Sequence, residues 1–234
     1  MLKSIRAASI LRAFIIFELC LVFMYWIGFL LGEPNLLSTL FDLDREANIP
    51  AWFSSSQLLL ICLIIWLAFL LHKACERPSR LFLFTTGTGF LLMSLDETSQ
   101  VHESITATLG DRYIDWVPPL IIEHKEIPFL SLVLLIIFVR LIYPDLKSLW
   151  LWSRRKSLVA VAGILTYMLG ASVLETIGYE FIEKGTFIYR VEVSAEEFLE
   201  MLGASLILYT VVSFVQDKLR IDRRSNLIKS LVEG

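Results

Sequence analysis

The chain has 234 residues, 56% of them hydrophobic and 19% charged, with a mean hydropathy of +0.67 and a formal net charge of −3. Globular proteins run nearer 45–50% apolar and about 25% charged, and so few polar side chains do not cover the surface of a soluble domain this long. The balance excludes a basic nucleic-acid-binding domain, a disordered chain and a disulfide-stapled secreted scaffold, and it points to an integral membrane protein.

A spanning helix needs about 20 mostly apolar residues. The first such stretch is 13–32, interrupted only by Glu18 and preceded by Lys3, Arg6 and Arg12. Its length, and the lack of a small-residue cleavage pattern in Leu30–Pro34, predict a retained anchor and not a cleaved signal. A loop carrying Asp44, Glu46 and Asn48 leads to the second span, 52–71, which has no charge. The third, 81–100, is apolar to Leu95 and then carries Asp96 and Glu97. The fourth, 127–143, contains Arg140 near its end, where a long side chain snorkels to the interface. The fifth, 157–177, encloses Glu175, and the sixth, 198–216, encloses Glu200. Residues 217–234 mix apolar and basic side chains and predict a short amphipathic helix on an anionic leaflet. The expected fold is all-α: residues 1–216 form a six-helix transmembrane bundle, and 217–234 a cytoplasmic basic tail.

Basic loop residues set the orientation of such a bundle. With the N-terminus inside, all the Lys and Arg residues fall on the inner side except Arg45, Arg112, Lys125, Lys184 and Arg190. The acids do the reverse. Both termini are therefore expected in the cytoplasm, and the protein in the cytoplasmic (inner) membrane of a bacterium. Cys20, Cys62 and Cys75 show no metal-binding or redox spacing and are expected as free thiols.

Three spans reach membrane length only by including a turn of carboxylates, and the alternation of span directions places all three turns on the outer side. In Leu95–Glu103, residues Asp96, Ser99 and Glu103 share a helical face with His102 beside them. Glu196, Glu197 and Glu200 lie about one turn apart at the start of the sixth span, and Glu175 and Tyr179 one turn apart at the end of the fifth. The small residues Gly170, Ala171 and Ser172, and Gly203, Ala204 and Ser205, permit close helix approach there. A carboxylate at the centre of a membrane helix costs roughly 2.5–3.5 kcal/mol, so several at one depth predict a polar pocket that shares protons or binds a cation. Carboxylates with one imidazole form a hard ligand set suited to divalent Mn, Fe, Mg, Ca or Zn. In this reading His102, Glu103, Glu175, Glu197 and Glu200 hold the metal. Asp96 or Glu97 serves as general base, with Ser99 beside them. The plainer alternative is that these acids end their helices at the interface and pair with Arg112, Lys184 or Arg190. Glu18 demands a hydrogen bond or a proton. His124 lies just before the fourth span, on the pocket side.

The strings Leu95–Glu103, Glu46–Ser54 and Glu196–Gly203 (LDE-x4-HE, EANIPxWFS and EEFLEMLG) resemble a family of uncharacterised bacterial polytopic membrane proteins. The resemblance implies that the acidic patches and the loop before the second span belong together. Ser99–His102 is remotely similar to a helix motif of the alkaline ceramidase and adiponectin-receptor type of intramembrane hydrolase. Those enzymes have seven helices and a zinc held by three histidines, and this chain departs from them in lacking a His pair on its last span. The expected function is a cation-binding membrane protein, acting as a metal-dependent hydrolase on a lipid or other interfacial substrate. The alternatives are a proton- or cation-coupled transporter and a non-catalytic subunit of a membrane complex. The expected partner is the bilayer, and not nucleic acid.

Overall fold

The computed structural model describes residues 6–32, 34–45, 47–73, 76–99 and 127–232, excepting the side chains of 127–139, 179 and 222–232. Among these residues all regular structure is helical. The order is α1 (Ala7–Leu30), α2 (Leu36–Leu40), α3 (Ile49–Leu71), α4 (Arg80–Ser99), α5 (Ile127–Trp152) and α6 (Arg154–Met168). A π-helical stretch (Leu169–Leu174) joins α6 to α7 (Glu175–Phe181), and α8 (Phe187–Val232) completes the chain.

Four helical segments among the described residues are long and apolar enough to cross a membrane: Ala7–Leu30, Ile49–Leu71, Arg154–Gly178 and Phe187–Ile221. The third and fourth spans expected from sequence are helical too, as α4 and α5; α4 is not among the four, and most of the fourth span's side chains lie outside the described residues. In α4 the apolar run is diluted by Thr85, Thr86, Gly87, Thr88 and Gly89 before Asp96 and Glu97 end it. Large apolar side chains such as Ile16, Phe23, Leu70, Leu92 and Leu165 point outward, each more than half exposed. Apolar exposure on that scale suits a lipid environment.

Local signals explain the helix starts. Asn35 caps α2 in a reciprocal capping box with Ser38, and its amide donates to the Gly28 carbonyl at 2.7 Å, folding α2 back onto α1. Asn48 caps α3 by accepting from Ala51 N at 3.1 Å, while its amide donates to the carbonyls of Asp42 and Arg45. Pro50 stands in the first turn of α3, where its missing N–H is no loss.

Helix α8 is the hub, packing on α1, α3, α6, α7 and the π-helical stretch. Its 46 residues extend about 69 Å at 1.5 Å per residue, more than twice a hydrocarbon core of about 30 Å. The sequence reading splits this segment into a loop, a span from Phe198 and a tail from Asp217, yet the helix runs through both boundaries. Residues 187–197 contain neither Gly nor Pro and are continuous with good helix formers, so the acids interrupt the hydropathy but not the helix.

Contact between α6 and α8 is backbone to backbone. A methyl on Gly203 would lie 2.5 Å from Tyr167 N and 2.7 Å from the Gly163 carbonyl oxygen. Helices α3 and α4 are joined by Ser55 and Ser94, each hydroxyl donating to the other's carbonyl at 2.7 and 2.8 Å. Two apolar clusters fill the interior. One joins Leu58, Ile61 and Ile65 of α3 to Ala204, Leu208 and Val212 of α8. The other joins Leu21 and Tyr25 of α1 to Phe53, Tyr189, Val193 and Met201.

Candidate functional site

Within α8, Glu192, Glu196 and Glu200 recur every fourth residue, so they form one stripe, with Glu197 beside it. The stripe faces two glycines. A methyl on Gly170 would meet Glu200 Cγ at 2.7 Å and the Glu196 carbonyl oxygen at 2.8 Å. A methyl on Gly178 would fall 2.5–2.7 Å from the carboxyl group of Glu192. The absence of these two side chains is what lets the π-helical stretch and α7 close over the acids. A π-helical turn re-aims a helix by inserting an extra residue, and such turns recur at functional sites; here it carries Gly170 and Ala171 and delivers Glu175.

The result is a cavity of about 760 Å³. Helix α8 contributes Glu192, Glu196, Glu197 and Glu200, α4 contributes Asp96 and Glu97, α7 contributes Glu175, and the loop before α3 contributes Asp44. Arg45 and Lys184 also line it, with Tyr167 and Tyr189. Tyr189 Oη donates to Asp44 Oδ1 at 2.5 Å, tying the loop to α8. Arg45 pairs with Asp42 at 3.2 Å, and the Lys184 ammonium lies 6.0 Å from the centre of the Tyr189 ring. Glu192 is 8% exposed, and its carboxyl group is set against that of Glu196, a second acid and not a cation. A buried carboxylate in that state calls for a cation, a donor or a proton.

Five of the residues expected from sequence, Asp96, Glu97, Glu175, Glu197 and Glu200, therefore line one cavity, and the three acidic turns converge. Ser99, at the end of α4, is exposed and is not among the lining residues. His102, Glu103 and His124 lie outside the described residues. Glu192 is not among the residues expected from sequence, and Asp44 is expected only through the resemblance that groups the loop before the second span with the acidic patches. Glu192 continues the four-residue rhythm of Glu196 and Glu200 backwards, outside a span that begins at Phe198. Asp44 is brought in by the contact with Tyr189, which no local pattern announces.

The donor set is oxygen, which suits hard divalent cations. Among the described residues, however, no group of three or more His, Cys, Asp or Glu side chains converges closely enough to hold a metal ion directly. The carboxylates are spread around the wall of a cavity far larger than a bare ion.

The chain belongs to a family described as Domain of unknown function (DUF8692), whose profile matches residues 13–214. No curated protein and no solved structure matches it.

Proposed function

We propose that this is a cation-binding membrane protein whose acidic cavity takes up a hydrated divalent metal ion. The observation that carries the reading is the convergence of carboxylates from three helices and a loop on one cavity, with Glu192 buried among them. Carboxylates gathered in a medium of low dielectric are not all ionised without a counter-charge. Magnesium and similar hard ions dehydrate reluctantly and are held through few carboxylates with several waters retained. That mode fits acids spread around a wide cavity better than a closed tetrahedral site does. Glu197 and Glu200, with Glu97 and Glu175 across the cavity, are the residues that hold the ion.

The excess of basic residues at the opposite end supports a cytoplasmic placement for both termini and a cavity open to the outside of a bacterial inner membrane. The six-span count belongs to this proposal, with α4 and α5 crossing beside the other four segments. Hydrolysis of a lipid substrate is a longer step: it requires Asp96 or Glu97 as base to a metal-bound water, together with His102 and Glu103. Binding is the part that the described residues support.

Calorimetric titration of the purified full chain in lipid nanodiscs with Mn²⁺ tests the reading. Saturable binding is expected, weakened at least tenfold in Glu197→Gln/Glu200→Gln. Identical isotherms for the two proteins, or no heat with either, would reject it.

A further inference from the structure

Outside the cavity, a carboxyl group sits in the packed interior of the bundle. Glu18 of α1 is 0% exposed, and its neighbours Gln57 of α3 and Ser205 of α8 are each 1% exposed. Ser205 Oγ donates to Glu18 Oε1 at 2.5 Å, and Gln57 Nε2 donates to the same oxygen at 2.9 Å. The Gln57 amide also lies 2.9 Å from Ser205 Oγ and 3.4 Å from the Met201 carbonyl oxygen. The groups facing the carboxyl from α3 and α8 are thus an amide, a hydroxyl and a peptide carbonyl, none of them charged. The other carboxyl oxygen, Oε2, is buried with no hydrogen-bond partner among the described residues.

An ionised carboxylate in that position meets a desolvation penalty of several kcal/mol with no cation to offset it. A metal ion has no space there: none of the three residues lines the cavity, and Leu21, Leu58 and Met201, all at most 1% exposed, occupy the surrounding core. A proton needs no space. Placed on Oε2, it removes the charge and leaves both hydrogen bonds to Oε1 in place.

We propose that Glu18, supported by Gln57 and Ser205, is an exchangeable proton site in the interior of the bundle, distinct from the acidic cavity. Exchange balances simply: the Oε2–H bond breaks, the proton passes to a water or a cavity carboxylate, and Glu18 becomes an anion. The two donors already on Oε1 then stabilise that anion, so the site is built to lose the proton as well as to hold it. Ser205 follows Glu200 by five residues, about 7.5 Å along the α8 axis. Met201, whose carbonyl faces the Gln57 amide, connects the two turns.

Infrared spectroscopy of the full chain in lipid vesicles, with no cation added, tests this directly. The expected result at neutral pH is a protonated-carboxyl carbonyl band that disappears in Glu18→Gln and shifts when the vesicles are transferred to D₂O. In Ser205→Ala the band is expected to persist at a changed frequency, because Oε1 has lost a donor. This second variant keeps the test open if Glu18→Gln does not fold. A spectrum unchanged by either substitution would overturn the proposal, as would a band that D₂O never shifts. The experiment is independent of cation binding, so neither its success nor its failure bears on the cavity's occupant.

Discussion

The two ends of the bundle treat their acids in opposite ways. At the end remote from the cavity, carboxylates meet cations. Asp145 of α5 accepts from Arg77 at 2.7 Å and from the backbone and hydroxyl of Ser79 at 2.6 and 3.0 Å. Glu76 pairs with Lys218, and Asp217 with Lys156 at 2.7 Å. These contacts connect the short loop after α3 to α5 and α8, and α6 to α8. At the cavity end, among the described residues, eight carboxylates share their lining with Arg45 and Lys184, and Glu192 is buried among them. Acids that stabilise a fold are supplied with partners, as the first group is. Acids gathered around an open volume cost stability, and an external cation or shared protons can offset that cost.

The sharpest way to break this contrast is to supply the cation. At a hundredfold excess over its dissociation constant, Mn²⁺ is expected to stabilise the solubilised protein by about 2.7 kcal/mol. Glu197→Gln/Glu200→Gln is expected to show no comparable shift in thermal unfolding.

Neutralising single acids sharpens it further. Asp145→Ala is expected to lose about 2 kcal/mol, because two Ser79 donors and a guanidinium lose their acceptor; Arg77 is half-exposed, so its share is the smaller. Glu192→Gln in the absence of cation is expected to unfold no earlier than the wild type. If both variants fall together, the ends do not differ.

Glycines probe the same division. Gly203→Ala drives a methyl into backbone atoms and is expected to cost about 1–2 kcal/mol. Gly178→Ala meets the Glu192 carboxyl group first, the end of a side chain, so it is expected to disturb cation binding more than unfolding.

The smallest effects are pH-dependent and belong to the paired end. Burial alone would raise the Asp145 carboxyl, but the bonds from Arg77 and Ser79 outweigh it and hold the group below its usual value. Its contribution is complete above the unfolded value of about 3.9 and is lost as pH falls through the lower folded value. For His72, burial and the neighbouring Lys218 push the imidazole below its usual value. The folded state therefore resists the proton, and stability falls as pH drops below about 6.5. An unfolding series in detergent should show both slopes, with the upper one removed in His72→Gln.

Much of the acidic site was legible because membrane thickness is a ruler. Spans three, five and six reach their length only with Asp96, Glu97, Glu175 and Glu200 included, and that arithmetic located the converging turns. It failed for Glu192, because a helix continues through charged turns that hydropathy reads as an edge. Small residues in sequence identified Gly170 and Gly203 as close-approach positions, whereas Gly163 and Gly178 stood alone and gave no cluster to notice. Glu18 declared its need for a partner, but Gln57 and Ser205 lie 39 and 187 residues away. Such pairings depend on which helix packs against which, and hydropathy carries no record of helix order.

Paramagnetic broadening compares the two ends in one measurement. A nitroxide attached at Ala171→Cys, on the cavity wall, or at Lys147→Cys, exposed near the opposite end, reports Mn²⁺ by distance once the native cysteines are replaced by serine. The account predicts saturable broadening of the label at 171, little at 147, and loss of the difference in Glu197→Gln/Glu200→Gln. Equal broadening at both positions, or stronger broadening at 147, would contradict a cation-binding cavity.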